Sequence, residues 1–259
     1  MNCKSAITWC LFLLVWTACT PESVADHSEP SVLPSPAPPQ EEGGDDNEGE
    51  PVVSAPDTVR YLALGDSYTI GESVPSVGDW PNQLVDSLSL RLPDTHFHPA
   101  QIIATTGWTT ANLSYAMDAM QIDTAQFDLV SLLIGVNNQY QGLPLESYEV
   151  EFTALLERAV ALAGGQSDRV FVVSIPDYGY TPFGQGNQAS ISEELAQFNA
   201  SCQALTEATG IAHYDITPIS QQWPAAAYWV APDGLHPSGA QYAAWVASFV
   251  ADVQAQLMD

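Results

Sequence analysis

Asp128 to Gly135 reads DLVSLLIG, an apolar run without the polar alternation of a strand that has one face in water. A strand covered on both faces requires such a run, which commits the chain to a sheet with helices on each side. Other short apolar runs fit the same sheet: Tyr61 to Leu64, Gln101 to Thr105, Arg169 to Pro176 (RVFVVSIP) and Ala212 to Ile216. Between them apolar residues recur at helical spacing, as Leu84, Val85, Leu88 and Leu92 do, and then Leu113, Met117 and Met120. Tyr148, Phe152, Leu155, Leu156, Ala159 and Ala163 mark one helix face, stopped by Gly164-Gly165. A helix is expected from about Ile191 to Ala208, and a closing one carries Tyr242, Trp245, Phe249 and Val253 on one side. Strands alternating with helices predict a three-layer α/β/α sandwich around a parallel sheet of about five strands.

The sheet accounts for residues 58–259 only. Ahead of it, Lys4 and an apolar segment from Ile7 to Ala18 precede Cys19. Twelve residues are too few to span a bilayer, which needs about 20, so residues 1–19 read as a signal peptide. Val15-Trp16-Thr17-Ala18-Cys19 resembles a bacterial lipoprotein processing signal, with Trp16 where Leu is usual; Cys19 is the candidate lipidated residue. Plain secretion with cleavage nearby is the alternative. Residues 20–57 hold eight prolines and the run EEGGDDNEGE, which cannot bury a core and read as a disordered acidic linker. The expected location is extracytoplasmic, at a bacterial cell envelope by a lipid anchor alone or secreted, and the expected state is a monomer.

The net charge is −26, and residues 58–259 hold 21 acids against 4 arginines and no lysine. That field repels phosphate backbones, so nucleic acid is excluded as a partner, and it argues against strongly anionic substrates. Its ordinary use is solubility.

Chemistry gathers at two places. Tyr61 to Leu64 stops at Gly65-Asp66-Ser67, which puts the Ser67 hydroxyl at a strand's C-terminal end, where ligands bind in open α/β sheets. Near the other end of the chain, Asp233-Gly234-Leu235-His236-Pro237 sets an acid three residues before a histidine. Pro237 suits a first helical position, so His236 is expected just outside a helix N-terminus, with Asp233 looping back to its ring. A serine nucleophile needs such a base and orienter. A turn and helix cap is the plainer reading of Gly-Asp-Ser by itself.

Together these stretches resemble the GDSL, or SGNH, family of serine hydrolases, whose flavodoxin-like fold the predicted sandwich matches. The resemblance adds Gly107 as the glycine after the second strand, and Gly135-Val136-Asn137-Asn138 as the Gly-x-Asn-Asp block, with Asn138 where Asp is usual. It implies a catalytic set of Ser67, His236 and Asp233. The implied oxyanion hole is the backbone N–H of Ser67 and Gly107 with the Asn137 side chain. No metal or cofactor is required. Trp108 and Tyr140, next to these blocks, are candidates for substrate contact or for core packing.

The expected activity is hydrolysis of small acyl esters or carbohydrate acetyl esters, the partner being a small-molecule or glycan ester. The alternatives are a lysophospholipase or thioesterase, and a non-catalytic binding lipoprotein on the same fold. The remaining features read as structural. Cys202 shares a helix with Leu195, Phe198 and Leu205 and is expected in the core. His96 and His98 lack a third ligand nearby, which a zinc site needs. The loop DYGYTPFGQGN, Asp177 to Asn187, is either the rim of an active site or an ordinary surface connection.

Overall fold

The apolar runs become strands in the computed structural model of the protein, which describes residues 56–258. The signal peptide, Cys19 and nearly all of the acidic linker lie outside the described residues. The chain runs through β1 (Thr58–Val59), β2 (Tyr61–Gly65), the short α1 (Ser67–Ile70), α2 (Trp80–Arg91), β3 (His96–Phe97), β4 (Gln101–Ala104) and α3 (Thr110–Met120). It continues with β5 (Leu129–Leu133), α4 (Val136–Tyr140), α5 (Leu145–Leu162), β6 (Val170–Val173), α6 (Gln188–Ala208), β7 (Ala212–Tyr214), α7 (Thr217–Ser220) and α8 (Gly239–Met258).

Five strands pair in parallel in the order β4-β2-β5-β6-β7, and β5 is buried along its whole length. This is the flavodoxin-like order, in which the chain crosses from one half of the sheet to the other between β2 and β5. Gly65 is in register with both Ala104 and Leu133, so three strands end level at that crossing. β1 and β3 form a separate two-residue parallel pair, too short to leave a pattern in the sequence. Pro56 and Asp57 already bond to it through Thr95 and His96, so ordered packing begins two residues before Thr58.

Helices cover both faces. On one, α2 packs against α8, and Trp80 meets Phe171 and Phe249 edge-on at 6.2 Å. On the other, α5 packs against α3 and α6, with Tyr148 stacked on Phe152 at 5.2 Å and against Phe198 at 4.9 Å. These rings belong to the buried core, each contributing roughly 1.5–3 kcal/mol. Cys202 is buried among them, and burial pushes its thiol up to about 12. Among the described residues no helix is long and apolar enough to cross a membrane.

Two local expectations need correction. α6 starts three residues before Ile191, at Gln188, directly after the single turn Gln185–Asn187. Pro237 does not open the last helix: it pairs with Val230 in an isolated antiparallel bridge, and α8 begins at Gly239. Ser238 supplies the start instead, its carbonyl accepting from the Tyr242 N–H.

Candidate active site

Ser67 sits where β2 meets the N-terminus of α1. A side chain at Gly65 has no room there, since a Cβ would lie 2.1 Å from Thr69 Oγ1 and 2.4 Å from the Leu133 carbonyl. Glycine therefore lets the strand run level with β5 and turn without a clash. Asp66 caps α1, its Oδ1 accepting from the Tyr68 N–H at 3.0 Å. Ser67 is then the first helical residue, and its N–H has no partner among the described residues.

The loop before α8 brings the imidazole. His236 Nδ1 lies 2.7 Å from Asp233 Oδ2, which fixes the tautomer with the proton on Nδ1 when the ring is neutral. Asp233 Oδ1 accepts from the backbone N–H groups of Leu235 and His236. Burial by itself would raise the Asp233 carboxyl. Hydrogen bonds from Ser73, Leu235 and His236 outweigh burial and hold it down to about 2. The His236 ring packs edge-on to Tyr68 at 5.6 Å, and the residue is almost fully buried.

Ser67 and His236 line one cavity of about 250 Å³ with Gly107 and Asn137. No hydrogen bond joins Ser67 Oγ to His236 among the described residues, and such bonds are often long before substrate binds. Gly107 has φ +84°, and a Cβ there would meet nothing within 4 Å. Its glycine thus serves the left-handed turn, which carries Thr105 to Trp108, rather than the relief of crowding by the chain's own atoms. Asn137 Nδ2 donates one hydrogen to the Trp108 carbonyl at 2.9 Å, leaving its second for the cavity. Asn138 is fully buried; its Oδ1 accepts from the Thr110 N–H, and its Nδ2 donates to Thr110 Oγ1, tying α4 to the start of α3. The residue that departs from the family block therefore supports the neighbouring turn.

Tyr140 lines the cavity; Trp108 does not, and its ring packs against the core while its carbonyl holds Asn137. The 177–187 loop, by its sequence either an active-site rim or a surface connection, supplies Tyr178 and Phe183 to the cavity wall. Tyr140, Tyr178 and Phe183 form a triangle with centroids 6.2–6.3 Å apart. The Tyr178 hydroxyl donates to Gln139, which donates to Glu194, and buried Asp177 accepts from Gly179, Ser192 and Gln221, so the loop is fastened at its base. The Gly and Tyr content of the loop was the signal for this wall. His96 and His98 lie with their rings 5.0 Å apart, and no group of three or more possible metal ligands occurs among the described residues.

The family match, taken with the sandwich, gives the class: a carboxylic ester hydrolase. The chain belongs to the GDSL-like lipase/acylhydrolase family, whose model matches residues 63–244. No curated protein matches the sequence. Among solved structures it is similar to the psychrotrophic esterase EstA of a Pseudoalteromonas species, at 16% identity and TM-score 0.58 over 79% of this chain and 100% of that one. It is also similar to the acetylxylan esterase Axe2 of Geobacillus stearothermophilus, at 20% identity and TM-score 0.59 over 78% of this chain and 96% of that one. A lipolytic G-D-S-L family protein of Veillonella parvula shares 16% identity, with TM-score 0.55 over 74% and 96% of the two chains. At these identities the structures speak for the fold.

Proposed function

We propose that the protein is an extracytoplasmic serine esterase acting on small acyl esters, carbohydrate acetyl esters in particular. The observation that carries this is the meeting of Ser67, His236, Gly107 and Asn137 on one small cavity, with Asp233 behind the imidazole. In the proposed reaction His236 Nε2 takes the Ser67 proton as Oγ attacks the acyl carbonyl. Asp233 keeps Nδ1 protonated and stabilises the imidazolium. The tetrahedral oxyanion is met by the Ser67 and Gly107 N–H groups and the free Asn137 hydrogen, each such donor typically worth about 10²–10³ in rate. Collapse expels the alcohol, which takes the proton from His236. Water then repeats the sequence on the acyl-enzyme, using the same base.

Cavity size supports a small acyl group, since about 250 Å³ lies at or under the lower end of pockets that enclose drug-sized ligands, roughly 300–1,000 Å³. None of its lining residues is a lysine or arginine, so a phosphate-bearing headgroup or carrier finds no counter-charge. The exposed rings of Tyr140 and Phe183 offer an apolar face to a sugar. That same apolar wall is the one observation favouring a lysophospholipase or thioesterase. The test is hydrolysis of p-nitrophenyl esters, acetate through palmitate, by the full chain and its Ser67→Ala variant. Activity greatest on acetate or butyrate and absent from the variant is the expected outcome. A rise toward palmitate moves the assignment to the lipid hydrolases, and binding without turnover, indifferent to Ser67→Ala, moves it to a binding lipoprotein. Anchoring at Cys19 is part of the proposal, supported by the apolar segment before it, and is tested by incorporation of labelled fatty acid that Cys19→Ala abolishes.

A further inference from the structure

Ser73 stands two residues past Gly71, the glycine that ends α1, with its own backbone in the left-handed region at φ +67°. Gln121 is the only other non-glycine residue with positive φ among those described, and Gln121 ends a helix, where that conformation is usual. Such a backbone is unfavourable for a residue with a Cβ and persists where a contact holds it. The contact here reaches across the chain: Ser73 Oγ donates to Asp233 Oδ2 at 2.6 Å, from 160 residues away.

That bond completes the carboxylate. An ionised carboxylate offers about four acceptor positions. Oδ2 takes His236 Nδ1–H and the Ser73 hydroxyl, and Oδ1 takes the N–H groups of Leu235 and His236. Ser73 lies in the turn after the helix that presents Ser67, while Asp233 and His236 come from the loop before α8. The hydroxyl is thus a strut between the two elements that must keep register for proton transfer. We propose that Ser73 is a positioning residue, whose hydroxyl, presented by the left-handed turn after α1, holds the Asp233 carboxylate in the orientation that aims His236 at Ser67. The proposal rests on the reading of Ser67, His236 and Asp233 as the catalytic set.

The Asp233 side chain is 30% exposed, so water competes for the same lone pairs and the effect is moderate. The titratable groups facing it are His236 beside it, Tyr68 on α1 and Tyr242 on α8. Neither tyrosine donates to it, so loss of Ser73 leaves Oδ2 to the imidazole and solvent.

Ser73→Gly removes the hydroxyl and also relieves the unfavourable backbone, which separates a positioning role from a merely structural one. In the full chain, with p-nitrophenyl acetate as substrate, kcat is expected to fall about three- to tenfold with KM unchanged and the melting temperature held or raised. The acidic limb of the kcat/KM profile moves upward by a few tenths of a pH unit, because Asp233 Oδ2 then accepts from the imidazole with only solvent as a competitor. The low-field proton resonance of the His236 Nδ1–H shifts in the same variant without any substrate. Wild-type kcat, an unmoved pH profile and an unmoved resonance in a folded Ser73→Gly protein overturn the proposal. An inactive wild type overturns the catalytic reading itself, and with it this one. An active wild type with an indifferent Ser73→Gly sinks the role of Ser73 alone.

Discussion

Two aspartates flank the candidate nucleophile in space, and their surroundings drive them in opposite directions. Asp233 is partly in water and receives four hydrogen bonds, which hold its carboxyl down to about 2. Asp66, next to Ser67 in the chain, is fully buried; one oxygen accepts from Tyr68 and the other has no partner, so burial pushes it up to about 7. Depth and donor supply together decide which carboxyl at this edge of the sheet is ionised: full burial dominates at Asp66, while at the partly exposed Asp233 four donors outweigh a smaller burial effect. The two therefore play different parts: Asp233 as a permanent anion behind the imidazole, Asp66 as a helix cap that keeps its proton through mildly acidic conditions.

The sharpest break of that contrast is Asp233→Asn, which keeps the shape, removes the charge and replaces one of the two acceptor oxygens with a donor. On the proposed mechanism it lowers kcat by about 10³–10⁴, read in steady-state kinetics on p-nitrophenyl acetate. Asn137→Ala is expected to cost about 10²–10³ in kcat, by loss of one oxyanion donor, with the melting temperature little changed.

Asp66→Asn tests the other half of the comparison through stability. With the folded pKa raised above the unfolded value, Asp66 is protonated in both states below about pH 4 and contributes no slope. As pH rises from about 4 to 7 the unfolded chain ionises while the folded one resists, and stability falls by up to about 4 kcal/mol before levelling off. The variant lacks that decline, so the difference between its denaturant midpoints at pH 4.5 and pH 8 is smaller than in the wild type. Equal pH dependence in the two proteins contradicts the contrast. The smallest expected effect comes from Asn138→Asp, which restores the residue usual in the family block. It sets a carboxylate at a fully buried position where Thr110 already donates its hydroxyl to Glu151. Only the Thr110 N–H is left to receive it, and a loss of about 1–2 kcal/mol in urea denaturation is expected.

The centre of the sheet was legible because β2, β5 and β6 are buried along their whole length, and a run such as Leu129 to Leu133 has few other uses. Ser67, Asp233, His236, Gly107 and Asn137 could be picked out because each sits in a short block at a strand end or loop. What escaped was set by tertiary approach. Ser73 looks like any turn serine until Asp233 is brought 160 residues along the chain to meet it. Phe183 and Tyr178 face the cavity only because Asp177 and the Gln139–Glu194 pair fasten their loop to α4 and α6. Pro237 misled for a local reason: its allowed φ suits a bridge as well as a helix start, and Val230 claims it.

The measurement that bears most directly on the central claim is covalent labelling of the full chain by a fluorophosphonate, followed by peptide mass analysis. One phosphonyl adduct is expected, on Ser67, absent from Ser67→Ala and strongly slowed in His236→Ala and Asp233→Asn. Labelling at another residue, or equal labelling of wild type and Ser67→Ala, would contradict it.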